Sequence, residues 1–190
     1  MQRRKPDVDA LLDVLNQHGV EYVVTGSAAA LLHGVALEPG DLDVTPALDH
    51  ENLDRLRRAL EAIHAHQYED AGFGHWETNA AGEHRWVTDQ PTPENRAARA
   101  AWSPNPRDPS TFDYLLDSDL GSIDIVPVIS GTYEQLAARA ASVRRNGHSV
   151  LVEAVSDLLA TLTVPRRDKD ADRVRELRGI QCRHESLGDD

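Results

Sequence analysis

One run constrains this chain more than any other: YVVTGSAAALLHGVALEPGDLDVTP, residues 22–46. A β-prone segment, VEYVVT at 20–25, stops at Gly26-Ser27 and passes into the strong helix formers AAALLHG. It returns through a Pro39-Gly40 turn to DLDVT at 41–45. The pattern predicts strand, short helix, strand. Successive side chains of a strand point to opposite faces, so Asp41 and Asp43 are predicted to share one face, with Cα atoms ~6.5–7 Å apart. Leu42 between them points into the core. Two carboxylates on one face can converge on hard cations such as Mg²⁺, which prefers oxygen ligands.

A site of this kind wants a third acid from another strand, because two-metal sites hold their ions only ~3.5–4 Å apart and need bridging carboxylates. Asp124 in SIDIVPV fits, since Ile123 and Ile125 face the other side of the same strand. An acid in so apolar a strand needs a partner or a metal, because burying it alone is costly. Gly26-Ser27 has a separate logic. Glycine lets a backbone approach a phosphate, the following helix offers unpaired N–H groups, and the Ser27 hydroxyl can donate to a phosphate oxygen. Serine is also an ordinary helix N-cap, so the pair gains meaning from the aspartates that follow it.

The rest of the chain reads as a mixed α+β domain. Asp7 caps a helix with Val8, Leu11, Leu12 and Leu15 inward and Gly19 as its stop. Leu53, Leu56, Leu60 and Ile63 recur at helical spacing. TFDYLLD and GSIDIVPVI flank SDLG as a β-hairpin with a longer loop. Tyr133, Leu136, Ala137 and Ala140 predict a helix, as do Leu151, Val155, Leu158, Leu159 and Leu162, ending at Pro165. RDKDADRVREL opens a last helix, and the tail from Cys182 is expected to fray. Residues 64–110 are expected to hold one or two short strands, HRWVT among them, with long loops. Their histidines 64, 66, 75 and 84 match no zinc spacing, and Trp76, Trp86 and Trp102 are mostly core material. The expected architecture is a small mixed sheet flanked by helices, with helices gathered at the C-terminus.

Composition narrows the setting. The 190 residues carry a net charge of −12, which disfavours a uniformly phosphate-binding surface. The charge is uneven: residues 131–180 hold nine Arg/Lys against seven Asp/Glu. Arg139, Arg144, Arg145, Arg166, Arg167 and Lys169 are candidates for a local basic face. No apolar stretch reaches membrane-span length, no secretory h-region follows the basic start, and Cys182 is the sole cysteine, so a cytoplasmic setting is expected.

The ordered set of strand, Gly26-Ser27, helix, Asp41-x-Asp43 and a later strand Asp124 resembles the minimal nucleotidyltransferases of the DNA polymerase β-like superfamily. RRDKDADRVREL further resembles the Lys-Asp helix of the AbiEii/MenT-type toxin subgroup. The resemblance implies a nucleotidyltransferase core over 1–145, a C-terminal helical part over 146–182 packed on the same domain, and a tail over 183–190. It implies that Gly26 and Ser27 grip the triphosphate and that Asp41, Asp43 and Asp124 hold two Mg²⁺. Lys169 would contact nucleotide phosphates, with Asp170 or Asp172 supporting the site. A plainer role for Lys169 is a solvated pair with Asp172, contributing about 0.2–0.5 kcal/mol.

The activity implied is transfer of a nucleoside monophosphate from a nucleoside triphosphate to a hydroxyl. The acceptor expected by resemblance is a tRNA 3′ end, with the chain as the toxin of a toxin–antitoxin pair and an antitoxin as its protein partner. Two alternatives stand beside it. One is transfer to a small molecule such as an antibiotic, for which an acidic cleft suits a cationic acceptor. The other is a catalytically silent protein that keeps the fold to bind a partner.

Overall fold

In the computed structural model, which describes residues 4–68, 74–78, 84–88, 92–128, 130–162 and 168–187, the chain opens on a helix capped as predicted. Asp7 Oδ1 accepts the Ala10 N–H at 3.1 Å, and α1 (Val8–Gln17) buries Val8, Leu11, Leu12 and Leu15 on one stripe. β1 (Tyr22–Val24), α2 (Gly26–Leu32) and β2 (Leu42–Pro46) follow in the predicted order. α3 (His50–Ala62) buries Leu53, Leu56 and Leu60. Next come β3 (His66–Gln67), β4 (Gly74–Thr78), β5 (His84–Thr88) and α4 (Pro93–Ala100). The remainder is β6 (Leu115–Asp117), β7 (Ile123–Ile125), α5 (Tyr133–Ala137), β8 (Ala141–Arg145), β9 (His148–Val152), α6 (Val155–Thr161) and α7 (Asp168–Leu187).

Seven strands form one mixed sheet in the order β3-β6-β7-β2-β1-β9-β8, and β4 and β5 pair apart from it. β1 runs antiparallel to β2 and parallel to β9, while β2 runs parallel to β7. Val24, Leu42, Val44, Leu116, Ile123, Ile125 and Val152 share one face and are fully buried. They join the leucines of α1 and α3 in a single core, so the apolar residue of each Asp-flanked strand is what anchors that strand. The α+β architecture expected from sequence is therefore the observed one.

The C-terminal half differs from expectation in one place that matters. Leu151 belongs to β9, not to a helix running from 151 to 162. Asn146 (φ 49) and Gly147 (φ 83) make a two-residue turn between Arg145 and His148, which are register partners. Asn-Gly is the sequence that such a turn favours, because both central residues need positive φ. Val150 and Val152 then alternate inward, and helical burial begins only at Val155 and Leu158. The 145/146 boundary expected between core and helical part falls inside this hairpin. Two smaller differences follow. α4 starts at Pro93 behind a Thr92 cap that accepts the Asn95 N–H, and α7 continues through Cys182 to Leu187 rather than fraying there.

HRWVT is β5 as expected, with Trp86 opposite Trp76 in register. Trp102 packs against the core edge-on to Tyr114, with its Nε1–H donated to Thr111 O at 3.0 Å. Among the described residues no helix is long and apolar enough to cross a membrane.

Candidate active site

Three predicted acids meet at one end of the sheet. Asp43 and Asp124 are register partners on the parallel strands β2 and β7. Parallel neighbours sit ~4.8 Å apart with side chains on the same face. Asp41 lies two residues before Asp43, just ahead of β2. A carboxylate oxygen from each of Asp41, Asp43 and Asp124 lies within 4.8 Å of the others, and all three residues are half-buried. Leu42, Ile123 and Ile125 are buried on the opposite face, as alternation requires.

The electrostatics match that crowding. Burial pushes the Asp43 carboxyl up to about 7, with Asp41 and Asp124 adding to the shift. A hydrogen bond from the Ser27 backbone N–H pulls it partly back, and Glu153 adds a smaller upward push. The three oxygens are hard donors at close quarters, held against their own repulsion, and that donor set fits Mg²⁺.

Gly26 and Ser27 stand against the same carboxylates. Gly26 has φ 63, and a Cβ placed there would lie 3.0 Å from Asp43 Cγ and nearer still to Oδ2. A glycine is required here both for the left-handed backbone and for the approach of Asp43. Thr25, not Ser27, is the N-cap of α2, and its side chain makes no capping bond. The first N–H groups of α2 are turned toward acids: Gly26 N–H donates to Glu153 Oε2 at 3.2 Å, and that of Ser27 reaches Asp43.

The remaining expected residues lie on α7. Lys169 and Asp170 fall in its first turn, with side chains outside the described residues. Asp172 is exposed and pairs with Arg175 at 3.0 Å. α7 is tied to the segment between α2 and β2 through Ala36 N–H, which donates to Glu176 Oε2 at 3.0 Å. Arg139 and Arg145 of the expected basic face are committed elsewhere, to Asp157 at 2.9 Å and Asp9 at 2.6 Å. Arg166 and Arg167 lie outside the described residues.

Sequence reasoning missed Glu153. It is only 1% exposed, and burial pushes its carboxyl above the usual range. The available signal was an acid closing the apolar run HSVLV, the same signature that marked Asp124.

No protein-family model matches the chain, and no curated protein matches it in sequence. Among solved structures, the chain aligns with the crystal structure of an antigenic nucleotidyltransferase-like protein from Paracoccidioides brasiliensis. The TM-score is 0.46 at 12% identity, over 93% of this chain and 77% of that one. A likeness at that level decides nothing about this chain's chemistry.

Proposed function

We propose that this chain is a Mg²⁺-dependent nucleotidyltransferase that moves a nucleoside monophosphate from a nucleoside triphosphate to a hydroxyl acceptor. The observation that carries the reading is the convergence of Asp41, Asp43 and Asp124 oxygens within 4.8 Å, beside a glycine turn too tight for any side chain. When bound there, Mg²⁺ supplies charge neutralisation of the reacting phosphates and lowers the pKa of the acceptor hydroxyl. Asp41, Asp43 and Asp124 would hold two such cations. The Ser27 hydroxyl donates to a phosphate oxygen, and Lys169 meets phosphate charge with Asp170 or Asp172 in support. The acceptor oxygen bonds to the α-phosphorus, the bond from that phosphorus to the bridging oxygen breaks, and pyrophosphate leaves. Asp124 takes the acceptor's proton.

The first acceptor to test is a tRNA 3′ end, with the chain acting as a toxin held by an antitoxin. One observation favours a second acceptor, a small cationic molecule. Arg139 and Arg145 are each paired with a carboxylate, and the chain as a whole is strongly acidic. The deciding experiment incubates the protein with each labelled triphosphate, total RNA or a panel of aminoglycoside-like amines, with and without Mg²⁺. Label in RNA that declines steeply with salt supports the first acceptor. Label in a small amine, insensitive to salt, supports the second. No Mg²⁺-dependent transfer to either, with no triphosphate binding by calorimetry, leaves the silent partner-binding reading in its place.

A further inference from the structure

Register extends the acidic site by one residue on the far side of β1. Val24 pairs with Val152 and with Val44, so the next positions along are Glu153, Thr25 and Asp43. Hydrogen bonds continue the ladders there: Glu153 N–H donates to Val24 O at 2.8 Å and Thr25 N–H to Asp43 O at 3.0 Å. Glu153, Thr25, Asp43 and Asp124 therefore run in one row across four neighbouring strands.

Within that row Glu153 clamps α2 at both ends. Its Oε2 accepts the N–H of Gly26, the first residue of the helix. Its backbone carbonyl accepts the Nε2–H of His33, the C-cap. α2 has seven residues and no side-chain cap of its own, and so short a helix does not hold itself in water. An acid at the first turn satisfies an N–H that the sequence otherwise leaves open. The Glu153 carboxyl is buried, and besides the Gly26 N–H it faces the side chain of Ser130, whose hydrogen bond offsets part of the upward push of burial.

We propose that Glu153 is a positioning residue for the acidic site: by fixing Gly26 it fixes the carboxylate of Asp43, which lies in direct contact with that glycine. The assignment rests on the metal-binding reading above. Outer groups that orient metal ligands typically cost ~10–100-fold in affinity when lost.

The test is Mg²⁺ affinity by calorimetry on folded Glu153→Gln and Glu153→Asp, with urea denaturation as the folding control. Gln keeps the length and an oxygen for Gly26 N–H but loses the charge. Asp keeps the charge but is one methylene too short to reach. Glu153→Gln is expected to bind Mg²⁺ within about threefold of wild type, and Glu153→Asp at least ~10-fold more weakly. A purely structural role lowers stability in both and leaves the affinity of the folded protein unchanged, which overturns the proposal. The reverse order, with Asp retained and Gln lost, also overturns it, because charge rather than reach would then matter. Should Glu153→Asp not fold, Glu153→Ala takes its place in the Mg²⁺ affinity comparison with Glu153→Gln, and rapid exchange of the Gly26 amide in wild type removes the hydrogen bond on which the proposal rests. Wild-type protein that binds no Mg²⁺ overturns the metal reading itself, an outcome distinct from a wild type that binds and a Glu153→Asp that binds equally well.

Discussion

Asp43 and Asp124 stand opposite one another as register partners on parallel strands, 81 residues apart in sequence. Neither strand has more than five residues. Each is held by apolar neighbours on the reverse face, so both acids project from the same face of the sheet. Asp43→Asn is expected to lower nucleotidyl transfer by at least ~10²-fold, the scale of losing a key electrostatic group at a reacting phosphate. Labelled-nucleotide transfer measures this, and an unimpaired Asn variant with wild-type folding removes the proposed function.

The raised Asp43 carboxyl makes stability depend on pH in a defined direction. Its ordinary value is 3.8 and its folded value about 7, so between them the folded state binds more protons than the unfolded one. Stability from this group is full below about pH 4 and is lost as pH rises through about 7. The metal-free protein should therefore lose stability from pH 5 to pH 8, by on the order of a few kcal/mol. Urea denaturation at both pH values measures it. Asp43→Asn should flatten the difference, and added Mg²⁺ should stabilise the wild type more at pH 8 than at pH 5.

Gly26→Ala and Gly34→Ala form a matched pair. Both glycines have positive φ, 63 and 97, and an alanine at either is strained by about 1–3 kcal/mol. A Cβ at Gly34 meets nothing within 4 Å, whereas one at Gly26 collides with Asp43. Both variants should lose stability, but only Gly26→Ala should also lose Mg²⁺ affinity in the folded protein. Equal affinities in the two variants would disprove the contact argument.

Asn52 supports the frame away from the site. It is fully buried, accepts Glu21 N–H at 2.7 Å and donates to Glu21 O and Ala47 O, each at 2.8 Å. It thereby fastens α3 to the chain on either side of the β1–β2 pair. Asn52→Leu strands those backbone groups and should cost roughly 2–4 kcal/mol, read from the urea midpoint. Mg²⁺ affinity of the variant that remains folded should change little.

The sequence by itself determined the elements whose chemistry is local. Asp7 as a cap, the strand–glycine–helix–strand order over 22–46, and the alternation that places Asp41 and Asp43 opposite Leu42 all follow from nearest-neighbour sterics and a two-residue period. Asp124 was legible for the same reason, as one acid between two buried isoleucines. The β8–β9 hairpin was written locally too, in Asn146-Gly147, but a leucine spacing that also suits a helix from Leu151 concealed it. The structure decided between the two by giving Val150 and Val152 a place beside β1. Only the tertiary structure brought Glu153 to Gly26, because 127 residues separate them and no periodicity spans that distance. It likewise set the register that makes Asp43 and Asp124 neighbours. Pairing between distant strands is chosen by the sum of core contacts and ladder hydrogen bonds, and a single strand carries no record of its partner.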